Sequence, residues 1–489
     1  MTATLGVGCG RGRRLAAAVA AALFLGLLSI AGASSFVPVV ATGRDATDAA
    51  RAVRSVGGRV TSEIPLVDGV AAQVPADRMA QLSRIVQVSA DRPLHVRSAS
   101  FSAAPDSAFP YEVGAVDAWA ETAGQGVGVA LVDTGVAPVP DLLERVAAVA
   151  DLTPERTLMD GFGHGTFMAG LIAGDGTASE GRYTGVAPGA DLVSIKVALA
   201  DGSTTLGTVL SGLQLVRNAR DMFNIRVALL ALSSPSTQSP EKDPLAKALR
   251  RLWNAGIFVV VPAGNDGPDP GTIDSPGFDP VLMTAGAVDD RGTKAVSDDD
   301  VVDWTSRGPT PWGASKPEVA APGAHIVSLR VPGSRIDDKN PSARVEGGYF
   351  RGSGTSMSAA ITAGVAALVL SSDPSLGPNE LKQRLIDDAT PLDGADPEAV
   401  GAGVVRANVD GSSSSVVPAG KGKGRSRRGG GHWNGKLWTG RIWDGRVWDG
   451  RVWDGRIWDG RVWDGRVWDG RVWDGRLWAG RIWAGRLWG

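Results

Sequence analysis

The central part of this chain is predicted to fold as an α/β domain around a doubly wound parallel sheet, on three observations. Near-continuous apolar runs at 127–132, 192–198, 227–232 and 257–263 suit strands covered on both faces, as in a parallel sheet. Helical spacing at 206–220 and 244–255 falls between those runs, and such alternation is the pattern of βαβ units. The first run ends in a carboxylate, Asp133, and functional groups of open α/β sheets collect at the carboxyl ends of strands.

At 489 residues the chain exceeds one typical domain, so two or three units are expected. Apolar residues make up 43% of it, ample for a packed core. The net charge of −2 hides an asymmetry: residues 34–420 sum to −14 and residues 421–489 to +9. An acidic body thus carries a basic tail. The single cysteine, Cys9, excludes an intrachain disulfide.

Taken in order, the chain opens with Arg11, Arg13 and Arg14 before an uncharged Ala- and Leu-rich run that closes on Ala31-Gly32-Ala33. This is the pattern of a cleavable export signal over residues 1–33. An uncleaved membrane anchor is the alternative, because the run is long enough to span a bilayer. Residues 34–100 read as a small α+β unit: strand 37–40, helix 45–56, two strands around Asp68-Gly69, and helix 77–86. That order suggests a ferredoxin-like module. A Ser-, Ala- and Pro-rich stretch at 98–109 reads as a connection. The α/β domain is assigned to 101–408, with further strands expected at 282–288 and 325–329 extending the sheet and a late helix at 380–388. Residues 409–434 read as a basic flexible linker. From Gly435 to the end, Gly-Arg-(Val/Ile/Leu)-Trp-Asp recurs with a period of five.

The chemistry lies in three short stretches. Gly354-Thr-Ser356-Met-Ser leads into an apolar, small-residue segment fit for a buried helix. Ser356 then sits at a helix N-terminus, where free N–H groups favour negative charge. Serine is a poor nucleophile without an oriented base. Of four histidines, His164 lies in the glycine-rich stretch Gly161-Phe-Gly-His-Gly-Thr, and Asp133 supplies the third group. Taken singly, each also reads as a turn or cap residue; the combination is what points to nucleophilic catalysis.

The blocks Val129-Ala-Leu-Val-Asp133-Thr-Gly, Gly163-His164-Gly-Thr and Gly354-Thr-Ser356-Met-Ser resemble the three signature blocks of subtilisin-like serine proteases. Their order, Asp then His then Ser, is that of subtilisin. The segments at 185–190, 262–267, 306–309 and 316–323 also resemble the family, so the likeness covers about residues 110–405. It implies a secreted serine endopeptidase with Asp133, His164 and Ser356 as a catalytic triad and Asn265 as an oxyanion donor. It also implies that residues 34–100 are an inhibitory propeptide, so the enzyme is made as a zymogen and its own propeptide is a partner beside protein or peptide substrates. No cofactor is required. Calcium is the metal the likeness allows, with Asp141 as candidate ligand. The sequence departs from the family at Ala360-Ile361, Phe167 and 227–234, which touches pocket shape but no catalytic atom.

The tail reads as disordered, as a repetitive β structure or as a binding tail; the binding reading is favoured, with attachment to an anionic cell-envelope polymer through Arg and Trp, and no nucleic-acid partner is expected. The competing function is an envelope-attached adhesion protein whose protease domain serves mainly to mature itself.

Overall fold

The computed structural model describes residues 35–96, 107–234, 236, 238–346 and 348–409. The expected leader, most of the connection, the linker beyond Val409 and the repeats lie outside the described residues.

The N-terminal module is an α+β sandwich. Its strands are β1 (Phe36–Thr42), β2 (Arg59–Ile64), β3 (Gly69–Pro75) and β4 (Gln87–Ala90). They form one antiparallel sheet in the order β2-β3-β1-β4, the topology of a ferredoxin-like module. Helix α1 (Ala46–Ser55) starts at Asp45, whose side chain accepts the Asp48 N–H, a strong N-cap. It buries Ala46, Ala49, Ala50 and Val53 against the sheet, the spacing of one helical face. The helix expected over 77–86 is shorter: only Met79–Leu82 (α2) is α-helical, after a 3₁₀ turn at Ala76–Arg78.

A strand not anticipated from sequence follows. β5 (Pro93–Val96) leaves the module and enters the large domain, pairing antiparallel with β9 (Ser203–Thr205) on one side and β11 (Leu232–Ser233) on the other.

The large domain centres on one sheet in the order β14-β13-β12-β10-β6-β8-β7, with β15 also paired to β13. These strands are β6 (Gly128–Asp133), β7 (Val146–Asp151), β8 (Asp191–Lys196), β10 (Ile225–Leu230), β12 (Phe258–Pro262), β13 (Met283–Asp289), β14 (Asp300–Val301) and β15 (Val319–Pro322). All pairings are parallel except β13 with β14. Every residue of β6 is buried, as its apolar run requires. The strand near 325–329 exists as β16 (Ile326–Leu329), but it does not extend this sheet. It joins a separate antiparallel sheet with β17 (Arg344–Val345) and β18 (Tyr349–Gly352), and β15 takes the place beside β13 instead. Apolar runs in neighbouring stretches carry no register, so the sequence could not choose between them.

The helices after β5 include α3 (Phe109–Glu112), α4 (His164–Ala173), α5 (Leu206–Ala219), α6 (Pro244–Asn254), α7 (Thr355–Ser372) and α8 (Pro378–Asp387), with shorter ones at Ala115–Ala118, Arg335–Lys339 and Pro397–Val400. Helix α7 is buried from Thr355 through Leu370. It is long and apolar enough to cross a membrane, yet 89% of its apolar window is buried inside the fold, so its hydrophobicity serves the core. It packs on α4 and against β10, β12 and β13.

Candidate active site

Asp133 ends β6, between β8 and β10. Strands lie on both sides of β6 here, so its carboxyl end opens at a crevice where strand order reverses. The next residue turns back on the carboxylate: the Thr134 N–H donates to Asp133 Oδ1 at 2.7 Å. His164 opens α4, and its Nδ1 lies 2.9 and 3.0 Å from the two Asp133 oxygens. Both side chains are 1% exposed. A buried carboxylate against Nδ1 fixes the ring and leaves Nε2 to act as a base. Nε2 is buried and has no hydrogen-bond partner within the protein.

Asp160, which the sequence reading passed over, holds this pair. Its carboxylate is fully buried and accepts four hydrogen bonds, from Gly163 N, Thr166 N, Thr166 Oγ1 and Thr134 Oγ1, all at 2.7–2.8 Å. Burial pushes its pKa up, and the Gly163 and Thr166 donors pull it back down. Thr134 Oγ1 in turn accepts the Gly165 N–H. Thus one carboxylate ties the residue after Asp133 to the residues flanking His164. Gly165 is required by close approach, since a Cβ there would lie 2.1 Å from the Gly135 carbonyl oxygen. Lys196, 1% exposed, braces the loop that delivers Asp160: its ammonium donates to Glu155 Oε2, Thr157 O and Met159 O. The signal for Asp160 was present in Asp160-Gly-Phe-Gly-His, an acidic residue just ahead of a helix start.

On the opposite side, Ser356 occupies the second position of α7 and is 2% exposed. Its N–H belongs to the first turn, which has no intrahelical acceptor. Asn265 follows β12 and Gly264, whose φ of +114° is left-handed. Asn265 Oδ1 accepts both Thr355 N, at 3.0 Å, and Thr355 Oγ1, at 2.9 Å, while Thr355 Oγ1 accepts Gly264 N. With its oxygen occupied twice, the amide presents its NH₂ beside the start of α7. Thr355 was missed because a hydroxyl next to the candidate nucleophile carries no signal of its own.

Asp141 sits elsewhere, in a 3₁₀ turn, with 1% exposure. Its Oδ1 accepts the Tyr349 hydroxyl at 2.6 Å and its Oδ2 accepts the Ala178 N–H at 3.3 Å. Both oxygens are engaged by donors. This surrounding does not fit a calcium site. Of the departures from the family pattern, Phe167, Ala360 and Ile361 are all buried core residues.

The small module docks on α5 and α6. Arg92 Nη2 reaches the fully buried Asp243 at 2.9 Å, and Asp243 also caps α6 through Leu245 N and Ala246 N. Asp91 accepts the Gly207 N–H at the start of α5. Leu66 donates to Gln214, and Arg251 donates to the Leu66 carbonyl and pairs with Asp68.

Comparison with known proteins gives one family model: the Subtilase family matches residues 124–403. Serine protease AprX of Bacillus subtilis is 42% identical over 290 residues, covering 58% of this chain and 66% of the relative. Thermostable alkaline protease of Halalkalibacterium halodurans is 35% identical, over 58% of this chain and 67% of its own length. Subtilisin Savinase of Lederbergia lenta is 32% identical, over 58% of this chain and 90% of its own length. The chain thus spans just under two thirds of AprX. Among solved structures, fervidolysin from Fervidobacterium pennivorans, a keratinolytic enzyme related to subtilisin, superposes with a TM-score of 0.61 at 21% identity. That match covers 79% of this chain and 63% of fervidolysin, and it supports the fold alone.

Proposed function

Because the chain belongs to the subtilase family, we propose that it is a serine endopeptidase made as a secreted zymogen, with Asp133, His164 and Ser356 as its triad. The observation that carries this reading is the buried His164 ring, bonded at Nδ1 to Asp133 with Nε2 uncommitted, in a helix packed on the helix that begins Thr355-Ser356.

The chemistry follows from those positions. Ser356 Oγ attacks the peptide carbonyl carbon while His164 Nε2 takes its proton. Asp133 stays ionised and stabilises the imidazolium. The carbonyl oxygen becomes an oxyanion, met by the Ser356 N–H and the Asn265 NH₂, donors fixed before the charge appears. His164 then passes the proton to the leaving amine, the C–N bond breaks, and an acyl-enzyme remains. Water, deprotonated by the same histidine, releases the acid and restores Ser356.

The zymogen reading is supported by β5. An extended segment that adds a strand between β9 and β11 engages an acceptor for peptide backbone, and the helix contacts of the module hold that segment in place. Residues 34–100 would thus occupy the substrate's path until cut away.

The test is N-terminal sequencing of the secreted wild type and Ser356→Ala side by side in a host lacking other proteases. Wild type is expected to start beyond the module, and the variant to retain it with activity on casein lowered by about 10⁶-fold. Maturation of the variant would remove self-cleavage from the reading.

Envelope attachment belongs to the same proposal, on the +9 charge and regular Trp of residues 421–489. Truncation after Pro418 is expected to shift enzyme into the medium with peptide hydrolysis unchanged. Equal release of both forms would refute it.

A further inference from the structure

Two buried carboxyl groups outside the crevice have no donor at all. Glu112 ends α3, and Asp299 immediately precedes β14. They are 2% and 8% exposed, and none of their four oxygens meets a donor from the rest of the protein; the only group within their reach is the other carboxyl. The two groups face each other, with Asp290 and Asp298 adding negative charge nearby. The cations of the neighbourhood are committed elsewhere. Lys294 stands over the Tyr111 ring, 3.4 Å from its centre. Arg291 pairs with Asp300, and His325 Nδ1 lies 3.3 Å from Asp289. Burial, then the facing carboxyl, pushes the Glu112 carboxyl up, and burial pushes Asp299 up as well.

We propose that Glu112 and Asp299 form a calcium site that ties the first helix of the large domain to the β13–β14 edge of the sheet. A single shared proton would join one oxygen of each group, leaving the other two bare and one negative charge buried beside Asp290 and Asp298, a costly arrangement. A divalent cation neutralises both groups and uses their oxygens as ligands. Calcium suits this chemistry because it takes oxygen donors in flexible numbers, whereas magnesium demands a near-ideal octahedron. Among the described residues no third acidic, His or Cys group joins them, so main-chain carbonyls and water complete the shell. The contrast with Asp141 is one of donors: its oxygens are taken by Tyr349 and Ala178, while those of Glu112 and Asp299 meet none.

The test uses the full chain carrying Ser356→Ala, which removes self-digestion, stripped with a chelator. Bound ⁴⁵Ca²⁺ is measured by equilibrium dialysis, and melting temperature is followed in Ca²⁺, Mg²⁺ or Na⁺ at equal ionic strength. We expect saturable calcium binding with a rise on the order of 5 °C at 100-fold excess over Kd, and little with the other ions. Adding Asp299→Asn, which offers Glu112 a neutral donor of the same shape, should lose one bound calcium and most of that rise. Adding Glu112→Gln should do the same, so a folding defect in one variant leaves the other decisive. Undiminished calcium binding in both variants, or none in the parent, overturns the proposal.

Discussion

Around His164 the fixing groups are buried and hydrogen-bonded, whereas around Ser356 the fixing is done by helix packing and one shared amide oxygen. Asp160 gathers four donors and locks the Asp133–His164 pair from below. Ser356 instead rides on α7, whose position is set by apolar contact with α4 and the strands of the central sheet, and its neighbour Thr355 holds Asn265. In the proposed mechanism the base side is complete before substrate arrives, whereas the nucleophile side keeps the Ser356 N–H and the Asn265 NH₂ for the substrate's carbonyl oxygen to engage. Catalytic hydrogen bonds often tighten only in the substrate complex, which fits a site with one half locked and the other poised.

Removing a donor on the poised side should give the largest separable effect. Asn265→Ala is expected to lower kcat by about 10²–10³ with KM nearly unchanged, because its NH₂ meets charge that exists mainly in the transition state. Steady-state kinetics on a chromogenic peptide separate the two constants. A variant with raised KM and wild-type kcat would move Asn265 to a ground-state role and break the contrast between the halves.

On the locked side the effect should be smaller in rate and larger in stability. Asp160→Asn keeps the shape but turns one acceptor oxygen into a donor facing Thr134 or Thr166, leaving buried groups unsatisfied at about 1–3 kcal/mol. A resulting shift of the imidazole is expected to cut kcat by on the order of 10², together with a lower melting temperature. A stability loss with unchanged kcat would show that Asp133 alone holds His164.

Much of this was legible in the sequence, for physical reasons. Buried parallel strands must be apolar throughout, so the runs ending at Asp133 and near Pro262 announced themselves. Helix starts and glycines demanded by close approach, as at Gly165, leave local marks. What failed was non-local. The pairing of β5 with β9 and β11 joins segments that are distant in the chain, and four residues of mixed character hold no pattern that names a partner. β16 went to the wrong sheet because an apolar run specifies burial but not neighbour. Glu112 and Asp299 lie in unremarkable stretches and become notable only when folding brings them together without donors.

The smallest expected effect tests how the oxyanion amide is held. Thr355→Val preserves shape but removes the hydroxyl that donates to Asn265 Oδ1 and accepts Gly264 N. The Thr355 N–H bond to the same oxygen survives, so the amide keeps one tether and kcat should fall by about tenfold rather than by the full cost of losing the donor. If Thr355 acts through Asn265, the two losses cannot add: in an Asn265→Ala background there is no amide left to orient, and Thr355→Val should cost little more. KM should stay near wild type throughout, and a supporting role in α7 packing alone would instead lower the melting temperature equally in both backgrounds while leaving kcat alone. Additive losses in kcat would mean that Thr355 serves the reaction independently of Asn265, and the nucleophile side would then be held by more than the one shared oxygen.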